Sequence, residues 1–165
     1  MRKTIPAFFL AFLVTASLPM GAGAQAQKAG GTVVDEVKAE RAAMESERRK
    51  IVAAALDLTP EEHQKFWPLY QEYRDAMGKV AEKGMKVIFG YAEAYNAGSL
   101  QNDKAKTLLA EWMSYEENRL KTRQANMTKF MGALPANKVF RYFQIENKLD
   151  AIVTMDIASQ VPLAD

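Results

Sequence analysis

The chain has 165 residues, a formal net charge of +2 and no cysteine. Without cysteine, disulfides, thiolate metal sites, a cysteine nucleophile and a lipid-modified cysteine are excluded. Arg2 and Lys3 account for the net charge, because residues 1–24 contain no acidic side chain. Residues 25–165 are therefore formally neutral and offer no net basic field, so we expect no nucleic-acid partner.

A secretory signal peptide is predicted over residues 1–24. Two cations precede an apolar run that ends at Leu18, and small residues follow as far as Ala24, where we expect cleavage. The run is too short and too broken for a comfortable transmembrane span of about 20 residues. We therefore expect a periplasmic protein with no membrane span after signal removal, and a disordered linker over residues 25–32.

Four helices are predicted over residues 33–158, which we take as a single helical domain. Apolar side chains recur at spacings of three and four, and no segment alternates with period two as a strand would. The predicted fold class is all-α, either an antiparallel bundle or an elongated helical-hairpin cradle. The first helix shows a narrow apolar seam whose positions include Arg48 and Ile51. Residues 159–165 are predicted to be a flexible tail.

A short segment appears twice. Leu134 and Pro135 in the second copy match Leu58 and Thr59 in the first. Each copy reaches an aromatic pair two helical turns later, and these pairs are Phe66–Trp67 and Tyr142–Phe143. We predict that both pairs are anchored in the core.

Only the first copy has the chemistry of a strong helix start. Thr59 can serve as the N-cap, Pro60 suits the first helical position, and Glu62 completes a capping box. Farther along the same helix, Pro68 either kinks one helix or separates two. Gly84 is one of three interior glycines that predict a soft helix.

Glu146 borders the apolar stripe of the fourth helix, and Arg123 interrupts the stripe of the third. If these helices are antiparallel about Pro135, the two residues lie at nearly equal distances from the turn. We therefore predict an Arg123–Glu146 ion pair that fixes the helix register, because interior charges are usually paired.

No catalytic motif is visible, so we expect neither an enzyme nor a cofactor. His63 is the single histidine, and we expect an exposed structural residue rather than a metal ligand. The seven methionines after residue 24 favour gap-filling in a helical core. An adaptable apolar surface is the alternative, and a copper-binding set is a weaker third option.

The repeated motif, the export signal and the charge-rich helical body together resemble the Spy/CpxP-type periplasmic proteins. Their hallmark is a twice-occurring Leu-Thr-x-x-Gln motif, and the similarity covers about residues 33–158. Here Glu62 and Lys138 stand at the final motif position, and Pro135 replaces the threonine of the second copy. The resemblance implies a cradle of antiparallel helices, often a homodimer, that binds unfolded clients without ATP.

Two functions are therefore predicted as alternatives. The first is an ATP-independent, client-binding chaperone or envelope-stress protein. The second is an envelope adaptor or sensor-modulating protein with one defined protein partner, which docks through residues 34–55.

Overall fold

The computed structural model describes residues 33–164, with side chains from residue 39 onward except those of residues 40 and 41. It contains four helices: α1 (Val33–Ala55), α2 (Pro60–Asn96), α3 (Asn102–Ala133) and α4 (Ala136–Gln160). Within this described part there is no strand, so the all-α prediction with four main helices is confirmed. The predicted signal peptide (1–24) and linker (25–32) lie outside the described residues.

Short connections between the helices set the architecture. Helices joined by so few residues run antiparallel to their neighbours. The long hairpin of α2 and α3 forms the main packing surface, and α4 contacts both α1 and α3. We call the end where α1 meets α2 and α3 meets α4 the proximal end. The distal tip is the opposite end, where residues 97–101 join α2 to α3.

The hydrophobic core lies at the proximal end. It is mostly aromatic on α2 and α4 and aliphatic at the end of α1. Its buried members are Val52, Leu56, Phe66, Tyr70, Tyr73, Met77, Phe130, Leu134, Val139 and Tyr142. Because this core contains residues from all four helices, it fixes their relative positions at this end.

Pro68 does not separate two helices, since α2 runs unbroken from Pro60 to Asn96. The interior glycines also have an explanation other than softness. At Gly84 an added Cβ would lie 2.8 Å from a ring carbon of Tyr115. Glycine at this position therefore allows α2 and α3 to approach closely.

Two boundaries differ from the predictions. The side chains of α1 that face the core are Arg48 and Val52, followed by Leu56 just after the helix, whereas Ile51 is exposed. The buried seam thus keeps the predicted Arg48 but continues through Val52 instead of Ile51, a rotation of about one residue. Helix α4 continues through Gln160, two residues past the predicted end of the domain.

Candidate functional site

The two copies of the repeated segment meet at the proximal end. Phe66 and Tyr142, which are equivalent in the two copies, are both fully buried, and their ring centroids lie 5.1 Å apart in an edge-to-face arrangement. Trp67 and Phe143 are partly buried against the same cluster. Edge-to-face ring pairs add about 0.5–1.5 kcal/mol beyond the burial of their area. The prediction that both aromatic pairs are core anchors is confirmed.

The leucines of the two copies also reach this cluster. Leu134 is buried within it, and Leu58 is partly buried against it. Pro135 stands at the N-cap of α4 without a side-chain hydrogen bond, as expected for the copy that lacks capping chemistry.

The final motif positions of the two copies form an ion pair. Lys138 Nζ donates to Glu62 Oε2 over 2.5 Å. The same oxygen accepts from the backbone N–H of Thr59, and the Thr59 hydroxyl accepts from the Glu62 N–H, so the predicted capping box is confirmed. The hydrogen bond from Lys138, followed by that from Thr59, lowers the pKa of Glu62. This pair therefore ties the start of α2 to the start of α4.

An ionic network with a buried centre lies beside the aromatic core. It contains three arginines and three carboxylates from all four helices: Glu45, Arg48, Arg74, Arg119, Glu146 and Asp150. Glu146 is at its centre with a fully buried side chain. Its Oε2 accepts from Arg48 Nη1 over 2.8 Å and from Arg74 Nη1 over 2.9 Å.

The partner predicted for Glu146 was wrong. Among the residues that the structure describes, its ion pairs are with Arg48 of α1 and Arg74 of α2. The guanidinium of Arg123 instead lies 5.9 Å from the ring centroid of Phe143. Arg123 and Glu146 are at nearly equal distances along the chain from the α3–α4 turn, but the side chain of Arg123 lies near the ring of Phe143 rather than the carboxylate of Glu146.

The outer members complete the charge balance of the network. Arg48 also donates to Asp150 Oδ1 over 3.0 Å, and Arg74 binds both oxygens of Glu45 at 2.6 and 2.9 Å. Burial nevertheless raises the pKa of Glu146, against the opposing effect of the two arginines. Sequence reasoning missed these partners, although the place of Arg48 within an apolar seam was a signal for them.

Several buried polar atoms of this region have no hydrogen-bond partner among the described residues. They are Glu146 Oε1 and the hydroxyls of Tyr70, Tyr73 and Tyr142. Burial raises the pKa of Tyr70 and of Tyr73 to about 12, and raises that of Tyr142 as well. These phenols therefore stay protonated at neutral pH.

A candidate binding surface lies on α3. Five large apolar side chains there are exposed at spacings of four, seven, seven and four residues, which returns them to one face of the helix. They are Leu109, Met113, Leu120, Met127 and Met131. We call this set the α3 stripe; from Leu109 to Met131 it extends for about 33 Å.

The exposure of the α3 stripe corrects a second expectation. The apolar residues of α3 were predicted to form a core stripe, but of these only Leu108 and Phe130 are buried. Four methionines (Met113, Met127, Met131 and Met155) are exposed as well, so gap-filling in the core does not explain them. The sequence pattern gave the correct helix but did not show which apolar residues face inward.

At the distal tip, α2 and α3 enclose an apolar pocket of about 330 Å³ together with the end of the chain. Its lining comprises Val87, Ile88, Tyr91, Leu100, Ala105, Leu108, Leu109, Trp112, Val161 and Ala164. Leu109 belongs to both the pocket and the α3 stripe, so the two surfaces are continuous.

Other predicted features are placed as follows. His63 is exposed, with its ring 5.6 Å from that of Trp67. In residues 33–164 no group of three or more metal-ligating side chains occurs. No helix in this part of the chain is both long and apolar enough to cross a membrane.

Comparison with family models, with curated proteins and with solved structures finds no match to this chain.

Proposed function

We propose that this chain is an exported periplasmic protein that holds unfolded or partly folded clients without ATP. The observation that carries the proposal is the α3 stripe, a row of large apolar side chains left in solvent along most of a 32-residue helix. Monomeric proteins rarely expose extended apolar surface, and such surface marks interaction sites.

The composition of the α3 stripe suits clients without a fixed shape. Three of its five members are methionines, whose flexible and polarisable side chains adapt to irregular apolar partners. Promiscuous binding proteins use Met-rich surfaces that can repack around each partner. Such a surface favours weak, varied binding over recognition of one sequence.

Charged side chains interrupt and flank the α3 stripe. Glu116 and Arg123 lie within its length, and Lys121 pairs with Glu117 on the exposed side of the helix. These charges keep the apolar row narrow and oppose edge-to-edge association of many copies. The resemblance to the Spy/CpxP-type proteins adds support of a different kind, since it implies client binding by an exported helical cradle.

An aggregation assay tests the proposal directly. Protein lacking residues 1–24 is mixed with chemically denatured citrate synthase, and light scattering is followed without nucleotide. We expect suppression at near-stoichiometric amounts. No suppression, together with one saturable partner captured from envelope extracts, would instead support an adaptor with a single partner.

A triple variant locates the activity. Leu109→Gln, Met113→Gln and Leu120→Gln remove three exposed side chains, each worth about 1 kcal/mol when a client covers it. The amount of protein needed for half suppression should rise about tenfold or more. The matched control is Ile152→Gln with Met155→Gln, which removes exposed apolar side chains from α4. Equal losses in both variants would contradict the assignment to α3.

Localisation is tested separately. Residues 1–32 fused to a reporter that is active only outside the cytoplasm should export it and be shortened at Ala24. A reporter that remains in the cytoplasm would contradict the exported location.

A further inference from the structure

The last residues of the described chain cross from α4 to the distal tip. After Gln160 the backbone becomes extended, with φ −93° and ψ 112° at Val161. Tyr91 Oη on α2 then donates a hydrogen bond to the carbonyl oxygen of Pro162 over 2.9 Å. Residues 161–164, which we call the tail, are thus held against α2 through their backbone.

The tail covers the distal pocket without filling it. Val161 and Ala164 line the pocket, and about 330 Å³ remains between them and the two helices. Leu163 is the largest apolar side chain of the tail, yet it is 90 % exposed and lies outside the lining. Pro162 favours an extended or polyproline-type conformation, whose three residues per turn place positions 161 and 164 on the same side.

We propose that the distal pocket is a binding site for an extended apolar peptide segment, and that the tail occupies it as a weak intramolecular competitor. The contacts are those by which proteins recognise extended peptides, with a hydrogen bond to a main-chain carbonyl and an apolar recess for side chains on one side. The occupant is an extended apolar segment of another protein. This inference rests on the proposed client-binding function and names the segment that the site accepts.

The tail is a poor ligand for this site, which is why it can act as a competitor. Among the described contacts it offers one hydrogen bond and two small side chains. Its covalent attachment raises its local concentration and compensates for the few contacts. A client segment with a larger apolar side chain would fill the remaining volume and displace it.

The position of the pocket connects it to the proposed client surface. Leu109 lies in both the pocket and the α3 stripe, and Trp112 follows one helical turn later in the lining. A client segment that enters the pocket can therefore continue along α3. The tail closes this entrance, so its removal should increase client binding and leave the core at the proximal end unchanged.

The test uses the chain from residue 25 to 160, which ends with α4 and lacks only the five residues that follow. The probe is a fluorescein-labelled peptide with the sequence of residues 159–165 carrying Ala164→Leu, whose larger apolar side chain can fill the pocket, and binding is measured by anisotropy. Because a competitor that occupies the site more than about 90 % of the time lowers apparent affinity tenfold, we expect the peptide to bind the shortened chain at least about tenfold more tightly than the full chain.

Two variants locate the binding. Tyr91→Phe in the shortened chain removes the hydroxyl donor and should weaken peptide binding several-fold. Tyr95→Phe is the control and should have no effect, because Tyr95 does not line the pocket. Binding should also change the fluorescence of Trp112, and Trp112→Phe should abolish that change. Circular dichroism confirms that each variant retains its helices.

Equal peptide affinity for the shortened and full chains, or no binding to either, would overturn the inference. A full chain that sediments as a dimer while the shortened chain is a monomer would also overturn it, since the tail would then bind a second copy. The outcome separates the two proposals. Peptide binding without suppression of aggregation would contradict only the client-binding function. Equal suppression by both chains without peptide binding would contradict only the role of the tail.

Discussion

The sharpest stability prediction concerns Glu146. Its side chain is fully buried, and one of its oxygens accepts hydrogen bonds from Arg48 of α1 and Arg74 of α2. Within the described residues, Glu146 is the only carboxylate that pairs with both arginines, and Glu146→Ala removes it. The substitution thereby leaves two cations in a region where their side chains are about nine-tenths buried.

The magnitude follows from what each arginine retains. Removing one partner of a buried ion pair costs about 3–5 kcal/mol when the other charge is left uncompensated. Here Arg48 keeps Asp150, and Arg74 keeps both oxygens of Glu45. The remaining carboxylates offset part of the loss, so we expect Glu146→Ala to lower the free energy of unfolding by about 3 kcal/mol, at the low end of that range.

Urea unfolding, followed by circular dichroism, measures this loss. The dependence of the unfolding free energy on urea concentration should be the same for the variant and the unsubstituted chain. Arg123→Ala is the control, because this arginine contacts the ring of Phe143 and is not paired with Glu146. We expect the control to cost about 1 kcal/mol or less, as found for exposed cation–π contacts. A loss below about 1 kcal/mol for Glu146→Ala, or equal losses for both, would refute the reasoning about buried charge.

Two further predictions concern packing and pH. Gly84→Ala should destabilise the chain, because the new methyl group would displace Tyr115. Gly78→Ala should stabilise it by about 0.5–1 kcal/mol, because the new Cβ would meet no heavy atom within 4 Å. A higher melting temperature for Gly84→Ala than for Gly78→Ala would contradict this prediction. Lys138 lowers the pKa of Glu62 in the folded state. The ionised Glu62 side chain therefore contributes stability above pH 4.5, its ordinary pKa, and this contribution is lost as the pH falls through the folded-state pKa. Lys138→Met should flatten the fall in stability below pH 4.5, and an unchanged acid limb in urea titrations would contradict the pairing.

Local signals in the sequence were sufficient for the helices and the start of α2. Thr59, Pro60 and Glu62 predict that start because capping depends on residues within one helical turn. The repeated leucines and aromatic pairs, such as Phe66 and Tyr142, were recognised as core anchors because the same pattern occurs twice. These features depend on short sequence separations, which a single chain displays directly.

The partners of Glu146 could not be found in the same way. Arg48 and Arg74 lie 98 and 72 residues away along the chain. Their approach depends on how α1 and α2 rotate about their axes to bury Val52 and Tyr73. Periodicity fixes which residues share a face of one helix but not which face meets a neighbour.

The same limit explains the exposed methionines of α3. Its apolar residues cover two faces, one containing Leu108 and Phe130 and the other containing Met113 and Met127. Only the first face is covered by α2 and α4 in the described structure. A single sequence gives both faces similar hydrophobicity, so the surface available for binding becomes apparent only once the helices are packed.

Packing at two places along the hairpin explains how apolar surface can stay exposed without collapse. At the proximal end, Glu146 and the aromatic core hold all four helices. Near the middle of the hairpin, the close approach of Gly84 to Tyr115 packs α2 directly against α3. The hairpin is therefore held at its proximal end and near its middle, and α3 cannot rotate its outer face inward without breaking one of these contacts. The proposed binding of clients to the α3 stripe would therefore need no opening of the core, and only entry to the distal pocket would need displacement of the tail.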